Sequence, residues 1–482
     1  MKETLKGNLL FVGGDLSGIQ KFIYNVSSKK AAVSLKGRSK YLCQYTREVY
    51  DRLTNLPPVK SAGTEEVYCS SGKFYFITSD TAEIREAITQ CSREIESALW
   101  KEQHGQLAIA ICYVPFVFAE DGKQVIVNEH LGSIGLLWSS ITPLFAAQKK
   151  QSFRHILTTD YDQMFDVIPV GGDVKVCTVT GIESADCIEI PDNKDSLVVL
   201  PVVKKQIELG EQLRNKEHFK TFEEYAEKTY LGILRMDVDG LGSRFIRGFK
   251  DLNEYTQFSE LLKRFFDKRH AADANNVYFI QQKDYYRNDL NIIYAGGDDL
   301  FAVGRWDKII EFAAEVRQQF MQHMQGEGVT ISGGIAIVHP KFPIAKAALL
   351  AGEAEDNAKS YILPNRTPKN AFCFFGETIS WEKEYDDVLQ FKNALVCQIG
   401  TNGVSKGLLH QLMRYAEMAK EGKHRYIWHS TYYLTRMLKE TKDENAKKFL
   451  KELRDTHMTQ GMQHMKLIAL AARWAEQEIR IN

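Results

Sequence analysis

The chain has 482 residues, 44% of them hydrophobic and 26% charged, a length and composition typical of a globular protein with two to four domains rather than of a disordered or fibrous one. Lys plus Arg equals Asp plus Glu at 62 each, which excludes a whole-chain field strong enough for non-specific attachment to nucleic acid or acidic membranes. The early apolar run is quickly broken by Gly and Asp, and no later segment is long enough to span a membrane, so we expect a cytoplasmic protein.

The first unit, predicted over residues 1–170, opens with GGDLSGIQKFI and continues with the basic segment 29–42, KKAAVSLKGRSKYL. A strand pair, VYCSSGKFYFITS, follows. Clustered Lys and Arg beside a glycine favour contact with phosphate or RNA, and a solvated basic loop is the alternative.

Residues 171–229 are mixed and polar and predict a small connector domain. Cys177 and Cys187 flank a Gly-containing loop there, but two ligands cannot close a tetrahedral zinc site. The eight cysteines are scattered and form no CxxC pair, so we expect reduced core thiols and no zinc.

Residues 230–380 predict a compact α/β unit, because apolar runs of strand length alternate with helix-period stretches. The strand LGILRMDVDG is followed by a helix through 258–268, a hairpin DLNIIYAGGDDLFAVG, a helix, the strand VTISGGIAIV, the helix IAKAALLAGEAEDNAKS and the strand AFCFF. This β-α-β-β-α-β order is ferredoxin-like, with the hairpin beside the first strand and helices on one face. The end of the first strand then adjoins the hairpin tip, and Asp237 faces Asp298 and Asp299.

The same plan recurs near the N-terminus, where Asp15-Leu-Ser-Gly parallels Asp237-Val-Asp-Gly. Gly72 follows Asp15 by 57 positions and Asp298 follows Asp237 by 61, so both hairpins fall at comparable distances from their opening strands. The first copy has Ser70-Ser71-Gly72-Lys73 where the second has Gly-Gly-Asp-Asp. We therefore predict an α+β protein with two palm-like domains, of which the first is degenerate and non-catalytic. Residues 381–482, amphipathic at helical period, predict a C-terminal helical bundle.

The three carboxylates predict two-metal nucleotidyl transfer. In-line attack of a ribose hydroxyl on an α-phosphate needs positioning and charge neutralisation, which two Mg²⁺ ions about 3.5 to 4 Å apart can supply. Mg²⁺ prefers hard oxygen ligands, here Asp237, Asp298 and Asp299, with Asp239 a weaker candidate. A plain turn with solvated acids is the alternative.

Other residues of this unit suit a nucleotide. Gly296 and Gly297 have no side chains to keep a triphosphate or ribose away from the hairpin backbone. Lys359, in the last turn of its helix, could reach a γ-phosphate, although an ordinary exposed lysine suits that position equally well. Lys369 is a weaker candidate.

Taken together, GGDLSGIQKFI, KGRSKYL, LGILRMDVDGLG and IIYAGGDDLFAVG resemble the large polymerase-like subunit of type III CRISPR effector complexes over almost the whole chain. The resemblance implies ATP as substrate, two Mg²⁺ or Mn²⁺ ions as cofactor and cyclic oligoadenylate as product. It also implies the other subunits of the complex, crRNA and target RNA as partners. It further implies that Ser17, Gly18 and Gln20 help to seat a second nucleotide opposite the GGDD hairpin.

The sequence departs from that family at two points. Many members begin with a nuclease domain built around a His-Asp pair, and no His-Asp dipeptide occurs here, so we expect no DNase activity. The family's connector often holds four zinc-binding cysteines, of which only Cys177 and Cys187 have counterparts.

Three alternatives remain open from the sequence. The same site could join AMP to another acceptor metabolite, the chain could be a structural scaffold for the crRNA complex, or it could be a stand-alone diguanylate-type cyclase. Crowding Asp298 and Asp299 beside Asp237 argues against the scaffold, because unpaired like charges repel.

Overall fold

The computed structural model describes residues 7–27, 29–70, 72–120, 122–159, 161, 174–191, 196–227, 229–247, 249–266, 288–362 and 369–481. Within these residues the chain forms two six-stranded sheets, two small two-stranded sheets and a helical C-terminal region.

The first sheet has the strand order β2-β3-β1-β4-β5-β6, with β1 paired antiparallel to β3 and to β4. Its strands are β1 (Leu9–Ser17), β2 (Thr64–Ser70), β3 (Lys73–Ser79), β4 (Ala108–Phe118), β5 (Val125–Val127) and β6 (His130–Gly132). Its helices are α1 (Ile19–Tyr24), α2 (Ala31–Thr54), α3 (Pro57–Ala62), α4 (Ala82–Gln103), α5 (Gly135–Lys149) and α6 (Arg154–Thr159).

The connector consists of two short antiparallel strand pairs and two helices. The strands are β7 (Lys175–Val176), β8 (Glu183–Ser184), β9 (Ile188–Pro191) and β10 (Ser196–Val199), and the helices are α7 (Pro201–Glu217) and α8 (Phe222–Ala226). Cys177 and Cys187 are buried free thiols. None of the eight cysteines, all of which lie within the described residues, forms a disulfide bond.

The second sheet repeats the order of the first, as β12-β13-β11-β14-β15-β16. Its strands are β11 (Leu231–Asp239), β12 (Leu290–Gly296), β13 (Asp299–Arg305), β14 (Thr330–Val338), β15 (Ala371–Phe374) and β16 (Glu377–Ser380). Its helices are α9 (Leu241–Arg247), α10 (Leu252–Phe266), α11 (Trp306–His323) and α12 (Ile344–Ser360). Residues 267 and 268 of the helix predicted over 258–268 lie outside the described residues.

The register confirms the ferredoxin-like prediction and its duplication. Asp237 lies opposite Asp299 across β11 and β13, and Asp15 lies opposite Lys73 across β1 and β3. The two sheets therefore place equivalent positions at equivalent corners, although the last strands differ, since β4 pairs antiparallel with β5 while β14 pairs parallel with β15.

The expectation that helices cover one face of the second sheet is wrong in one respect. A Cβ at Gly232 would meet Ile309 of α11, whereas one at Gly334 would meet the backbone of Glu355 in α12. Gly334 lies opposite Arg235, which is three residues from Gly232 and so points to the other face. Helix α12 therefore covers the face opposite α11, because it follows the fourth strand and is an addition to the ferredoxin plan.

The C-terminal region is helical, as expected. It comprises α13 (Glu384–Gly400), α14 (Gly407–Lys420), α15 (Tyr426–Glu440), α16 (Glu444–Asp455) and α17 (Met462–Ile481), with a short 3₁₀ turn at His457–Thr459.

Two hydrophobic cores join these parts. One packs Leu234 and Met236 of β11 with α10, α11, the C-terminal helices and α5 of the first unit. The other packs Ile233 of β11 with α1, α2 and the connector. Since β11 contributes one face to each core, the position of its end is fixed from both sides. Among the helices of the described residues, none combines the length and apolar character needed to cross a bilayer.

Candidate nucleotide-binding site

The GGDD hairpin brings two carboxylates to the end of β11. Gly297 is the first residue of the two-residue hairpin turn and has a φ of 68°. Turns of this kind need a positive φ at that position, which glycine adopts without strain. The backbone N–H of Val238 donates to the carbonyl oxygen of Asp298 at 3.1 Å, which ties the hairpin tip to β11. Asp237 and Asp299 then lie on opposed positions of neighbouring strands.

A third carboxylate, missing from the sequence analysis, completes an acidic cluster. The ligand oxygen atoms of Asp237, Asp299 and Glu355 lie within 4.8 Å of one another. Glu355, on α12, is only 3% exposed, whereas the two aspartates are half-buried. Asp298 is not a member of this cluster and instead lines the adjoining cavity.

Two cations hold the cluster in the described structure. The Lys359 Nζ lies 2.8 Å from Asp237 Oδ2 and 2.6 Å from Glu355 Oε1. Arg235 Nε lies 2.9 Å from Glu355 Oε2. Burial opposes the charged form of Lys359, but attraction to Asp237 and Glu355 outweighs it and raises its pKa. Lys359 therefore lies at the site, and its contact with a γ-phosphate stays a prediction.

The aspartates of the hairpin are difficult to ionise together. Burial, a hydrogen bond shared with Asp237 and repulsion from Asp298 and Asp237 raise the pKa of Asp299 well above its usual value. Burial and repulsion from Asp237 also raise the pKa of Asp298. Clustered oxygen ligands whose charges repel one another fit hard divalent cations such as Mg²⁺ or Mn²⁺.

Asp239, the weaker metal candidate, has another role in this structure. Its Oδ2 accepts hydrogen bonds from Thr330 Oγ1 at 2.7 Å, Ser332 Oγ at 2.8 Å and the backbone N–H of Asn370 at 3.1 Å. Burial nevertheless raises the pKa of Asp239. These bonds tie β11 to β14 and to the segment before β15, so Asp239 stabilises the sheet end beside the cluster. Lys369 is half-buried, and its backbone N–H donates to the carbonyl oxygen of Tyr361.

A cavity of 490 Å³ lies between the two palms, against the hairpin. Its lining includes Asp15, Gly18, Gln20, Tyr68 and Lys73 from the first palm and Tyr294, Gly296, Gly297, Asp298 and Asp299 from the second. Asp299 belongs to both the cavity and the acidic cluster. A larger cavity of 780 Å³ lies at the opposite end of β11, beside Leu231, and none of these carboxylates lines it. The smaller cavity is therefore the candidate nucleotide-binding site.

The first-palm candidates differ in their placement. Gly18 and Gln20 line the cavity, and Gly18 has a φ of 83° at the start of α1. The Ser17 hydroxyl is buried, has no hydrogen-bond partner among the described residues and is not among the groups that line the cavity. The geometry thus brings two of the three to the space opposite the hairpin.

The position that corresponds to the acidic cluster is neutralised in the first palm. Asp15 is nearly buried and pairs with Lys149, whose Nζ lies 2.7 Å from Asp15 Oδ2. Lys73 stands at the position of Asp299. Lys149 and Lys73 therefore stand beside the single carboxylate Asp15, whereas three carboxylates meet in the second palm, and the non-catalytic role of the first copy stays a prediction.

Two of the five basic side chains in the segment 29–42 are buried in the protein, whereas Lys29 is exposed, so the expected contact with phosphate or RNA stays a prediction. Arg38 is 1% exposed and donates to the carbonyl oxygens of Phe22 and Asn25. Lys36 is buried and pairs with Glu217. Both side chains are used inside the protein because residues 31–54 form a helix packed against α7.

Aromatic residues couple the palms directly behind the site. Tyr24 of α1 and Tyr294 of β12 share a hydrogen bond of 3.1 Å between their hydroxyls. The Arg235 guanidinium, which pairs with Glu355, also lies 5.8 Å from the centre of the Tyr24 ring. The sequence offered a signal for Arg235 and Glu355, since a charged residue inside an apolar strand or on an alanine-rich helix face needs a partner when buried.

The fold and the site define a protein with two palms and an acidic, nucleotide-sized cavity beside the GGDD hairpin of the second palm. Comparisons with known proteins agree with this class. Residues 230–373 match the family described as Cas10/Cmr2, second palm domain, and residues 8–167 match Csm1 subunit domain B. The resemblance to the large subunit of type III CRISPR effector complexes is thereby confirmed.

Individual relatives match a larger part of the chain than either family model does. The CRISPR system single-strand-specific deoxyribonuclease Cas10/Csm1 (subtype III-A) of Mycobacterium tuberculosis is 24% identical over 89% of this chain and 62% of its own length. The protein of the same name from Streptococcus thermophilus is 26% identical over 91% of this chain and 64% of its own. The chain thus spans about three fifths of the length of these relatives.

Solved structures share the fold. A Csm1–Csm4 cassette in complex with AMPPNP superposes with a TM-score of 0.63 at 20% identity, covering 98% of this chain and 70% of that one. A Csm1–Csm4 cassette in complex with cA4 gives 0.63 at 19% identity, covering 96% and 70%. Csm1 of T. onnurineus gives 0.61 at 20% identity, covering 96% and 69%.

Proposed function

We propose that this chain is the nucleotide-joining large subunit of a type III CRISPR effector complex, which makes cyclic oligoadenylate from ATP when target RNA pairs with the guide. The observation that carries the proposal is the opposition of Asp237 and Asp299 at the rim of a cavity lined by both palms. A plain hairpin turn needs neither the third carboxylate Glu355 nor a 490 Å³ space beside it.

In this proposal the acidic residues bind the reacting phosphate through metal ions and do not contact it themselves. Asp237, Asp298 and Asp299 would hold two Mg²⁺ or Mn²⁺ ions, with Glu355 beside them. Bound there, the ions lower the pKa of the attacking ribose hydroxyl and neutralise the leaving pyrophosphate. Asp237 and Asp299 come from two paired strands and Glu355 from a packed helix, so these elements set the separation of those three carboxylates, while Asp298 lies in the two-residue hairpin turn.

The other side chains bind and orient the nucleotides. Gly296 and Gly297 leave the hairpin backbone open to a triphosphate, and Lys359 provides a cation beside Asp237. Gly18 and Gln20 face the same space from the first palm, and there they would seat the nucleotide whose hydroxyl attacks. A second nucleotide in the same enclosure makes the attack effectively intramolecular.

Two structurally similar proteins support the choice of substrate and product, because one Csm1–Csm4 cassette was solved in complex with AMPPNP and another in complex with cA4. The cassettes also contain Csm4, and a Csm4-type subunit is therefore the first partner we propose for this chain. The deoxyribonuclease named in the relatives is not part of the proposal, because the chain contains no His-Asp pair.

The test is product analysis by mass spectrometry of the purified complex with ATP, Mg²⁺ and matched or unmatched target RNA. Asp298→Asn with Asp299→Asn should end product formation while the complex still assembles. The control is Asp386→Asn with Asp387→Asn, an adjacent exposed pair in the first turn of α13.

Each alternative has its own outcome in this experiment. An adenylylated metabolite in place of cyclic oligoadenylate would assign a different acceptor to the same site. Loss of assembly in the Asp298 and Asp299 variant would favour the scaffold. Turnover of GTP without RNA would indicate a diguanylate-type cyclase.

A further inference from the structure

Helix α15 carries an unusual exposed stripe far along the chain from the palms. Trp428 is 80% exposed and Tyr432 is 73% exposed, and they are four residues apart on one helix. Residues at that spacing are neighbours on a helix surface. Both rings are therefore presented to solvent on neighbouring positions of one helix face.

Cations flank these rings on the same stripe. At about 3.6 residues per turn, Arg425, Arg436 and Lys439 project to the side of the helix that bears the two aromatics. All three are exposed. The buried side of the helix, with Tyr426, Ser430 and Leu434, is opposite. The orientation of the stripe is thus set by the packing of α15 on its neighbours.

Charge around the stripe is not balanced as it is in the whole chain. Residues 401–460 contain twelve Lys and Arg against seven Asp and Glu, whereas the complete sequence has equal numbers. Arg436 pairs with Glu440 at 3.3 Å, but both side chains are about 70% exposed, and such a pair contributes little and exchanges readily with an anionic ligand.

We propose that this stripe binds single-stranded RNA, with bases stacked on Trp428 and Tyr432 and phosphates paired with Arg425, Arg436 and Lys439. Aromatic rings between basic residues are the combination that binds single strands without sequence preference. Arg425 and Lys439 lie at the two ends of the stripe and Arg436 lies one turn from Tyr432, so a polyanionic strand complements the charge of this surface. The proposal concerns a surface separate from the palms and does not depend on the proposed nucleotidyl transfer.

The experiment measures binding of a labelled, unstructured single-stranded RNA to the full chain by fluorescence anisotropy. Trp428→Ala with Tyr432→Ala should raise the Kd at least about tenfold, because two stacking contacts are lost. Trp428→Phe with Tyr432→Phe keeps aromatic faces and should remain within about threefold of the unmodified protein. Leu349→Ala with Leu350→Ala removes exposed apolar side chains from another helix and is the control.

The phosphate contacts have a separate readout in salt dependence. Arg425→Gln, Arg436→Gln and Lys439→Gln together should lower the slope of log Kd against log salt by about 2, at roughly 0.7 per phosphate contact. The matched control is Lys442→Gln, Lys448→Gln and Lys451→Gln, which removes the same charge from exposed residues at and within α16.

Two results would overturn the proposal. The first is an RNA affinity that is unchanged in the alanine pair, or that falls equally in the Leu349 and Leu350 control. The second is unchanged RNA binding together with loss of association with a purified partner subunit, which would make the stripe a protein-docking surface. Thermal unfolding of every variant should match the unmodified chain, since these side chains are exposed.

Discussion

Asp237 and Asp299 are directly opposed on neighbouring antiparallel strands, a register at which like charges destabilise a sheet. The fold places Lys359 beside Asp237 and supplies no equivalent ion pair to Asp298 or Asp299 among the described contacts. Protons or added cations on these carboxylates therefore stabilise the local arrangement, which is a property of binding sites more than of structural turns.

The stability of the metal-free protein should depend on pH through the two aspartates of the hairpin, Asp298 and Asp299. The raised pKa values of Asp298 and Asp299 mean that the folded chain keeps protons that the unfolded chain has lost. Their contribution to the free energy of unfolding is then fully present below the unfolded-state pKa of about 4 and is lost as the pH rises through the folded-state pKa. Urea unfolding at a series of pH values between about 4 and 8, with a chelator present to remove metal ions, measures this loss of stability.

Three comparisons make that experiment specific. Asp298→Asn with Asp299→Asn should flatten the profile and stabilise the metal-free protein by ~1 kcal/mol at neutral pH. Mg²⁺ should stabilise the unmodified chain there but not this variant. Asp386→Asn with Asp387→Asn should keep the original profile, and an equal flattening in that control would contradict the assignment.

Glu355 should be needed for both stability and metal binding. It is buried between Arg235 and Lys359, so Glu355→Ala leaves Arg235 without its carboxylate and Lys359 with Asp237 alone, and should cost about 3 kcal/mol in urea unfolding. Glu355→Gln keeps the shape but removes the charge, and should weaken Mg²⁺ binding measured by calorimetry. The exposed Glu353 of the same helix provides the control, as Glu353→Gln. Equal Mg²⁺ affinity in both glutamine variants would exclude Glu355 from the site.

The contrast between Asp299 and Glu355 shows what the sequence could predict. The opposition of Asp237 to the hairpin follows from strand order alone, because a β-α-β-β-α-β chain has few topologies and the first strand must lie beside the hairpin. Glu355 comes from α12, an element outside that plan, on the face opposite the one expected. Its position depends on how α12 packs on Gly334, a contact that no periodicity reveals.

The basic segment 29–42 shows what composition alone leaves open. Its charge density is typical of a phosphate-binding loop, yet Arg38 is directed into the protein by acceptors at Phe22 and Asn25. Charge in a sequence indicates a partner but not whether that partner is internal. On α15 the structure itself shows that the cations of the stripe are exposed, so their availability to an anionic ligand does not rest on composition.

Lys359 should act on the triphosphate and not on metal affinity. Lys359→Gln removes the cation beside Asp237, so the KM for ATP should rise about tenfold, the effect of losing about 1.4 kcal/mol of binding. Mg²⁺ affinity should be unchanged or stronger, because the carboxylates lose a competing positive charge. Lys346→Gln, at an exposed position of the same helix, is the control for general loss of charge. A fall in Mg²⁺ affinity without a change in KM would contradict this role.

The first palm should contribute to joining and not to the acidic cluster. Gln20→Ala removes an exposed side chain that lines the cavity, and it should reduce product formation several-fold without changing Mg²⁺ binding or thermal unfolding. Gly18→Ala should also impair joining, but through structure, since Gly18 has a φ of 83° and a Cβ there would lie 2.5 Å from the carbonyl oxygen of Gln106. It should therefore lower the thermal midpoint as well. Lys21→Ala, beside Gln20 and lining the same cavity, tests whether any truncation of this wall has the same effect. If Gln20→Ala left product length and rate unchanged while Gly18→Ala only destabilised the protein, the second nucleotide would have to bind elsewhere.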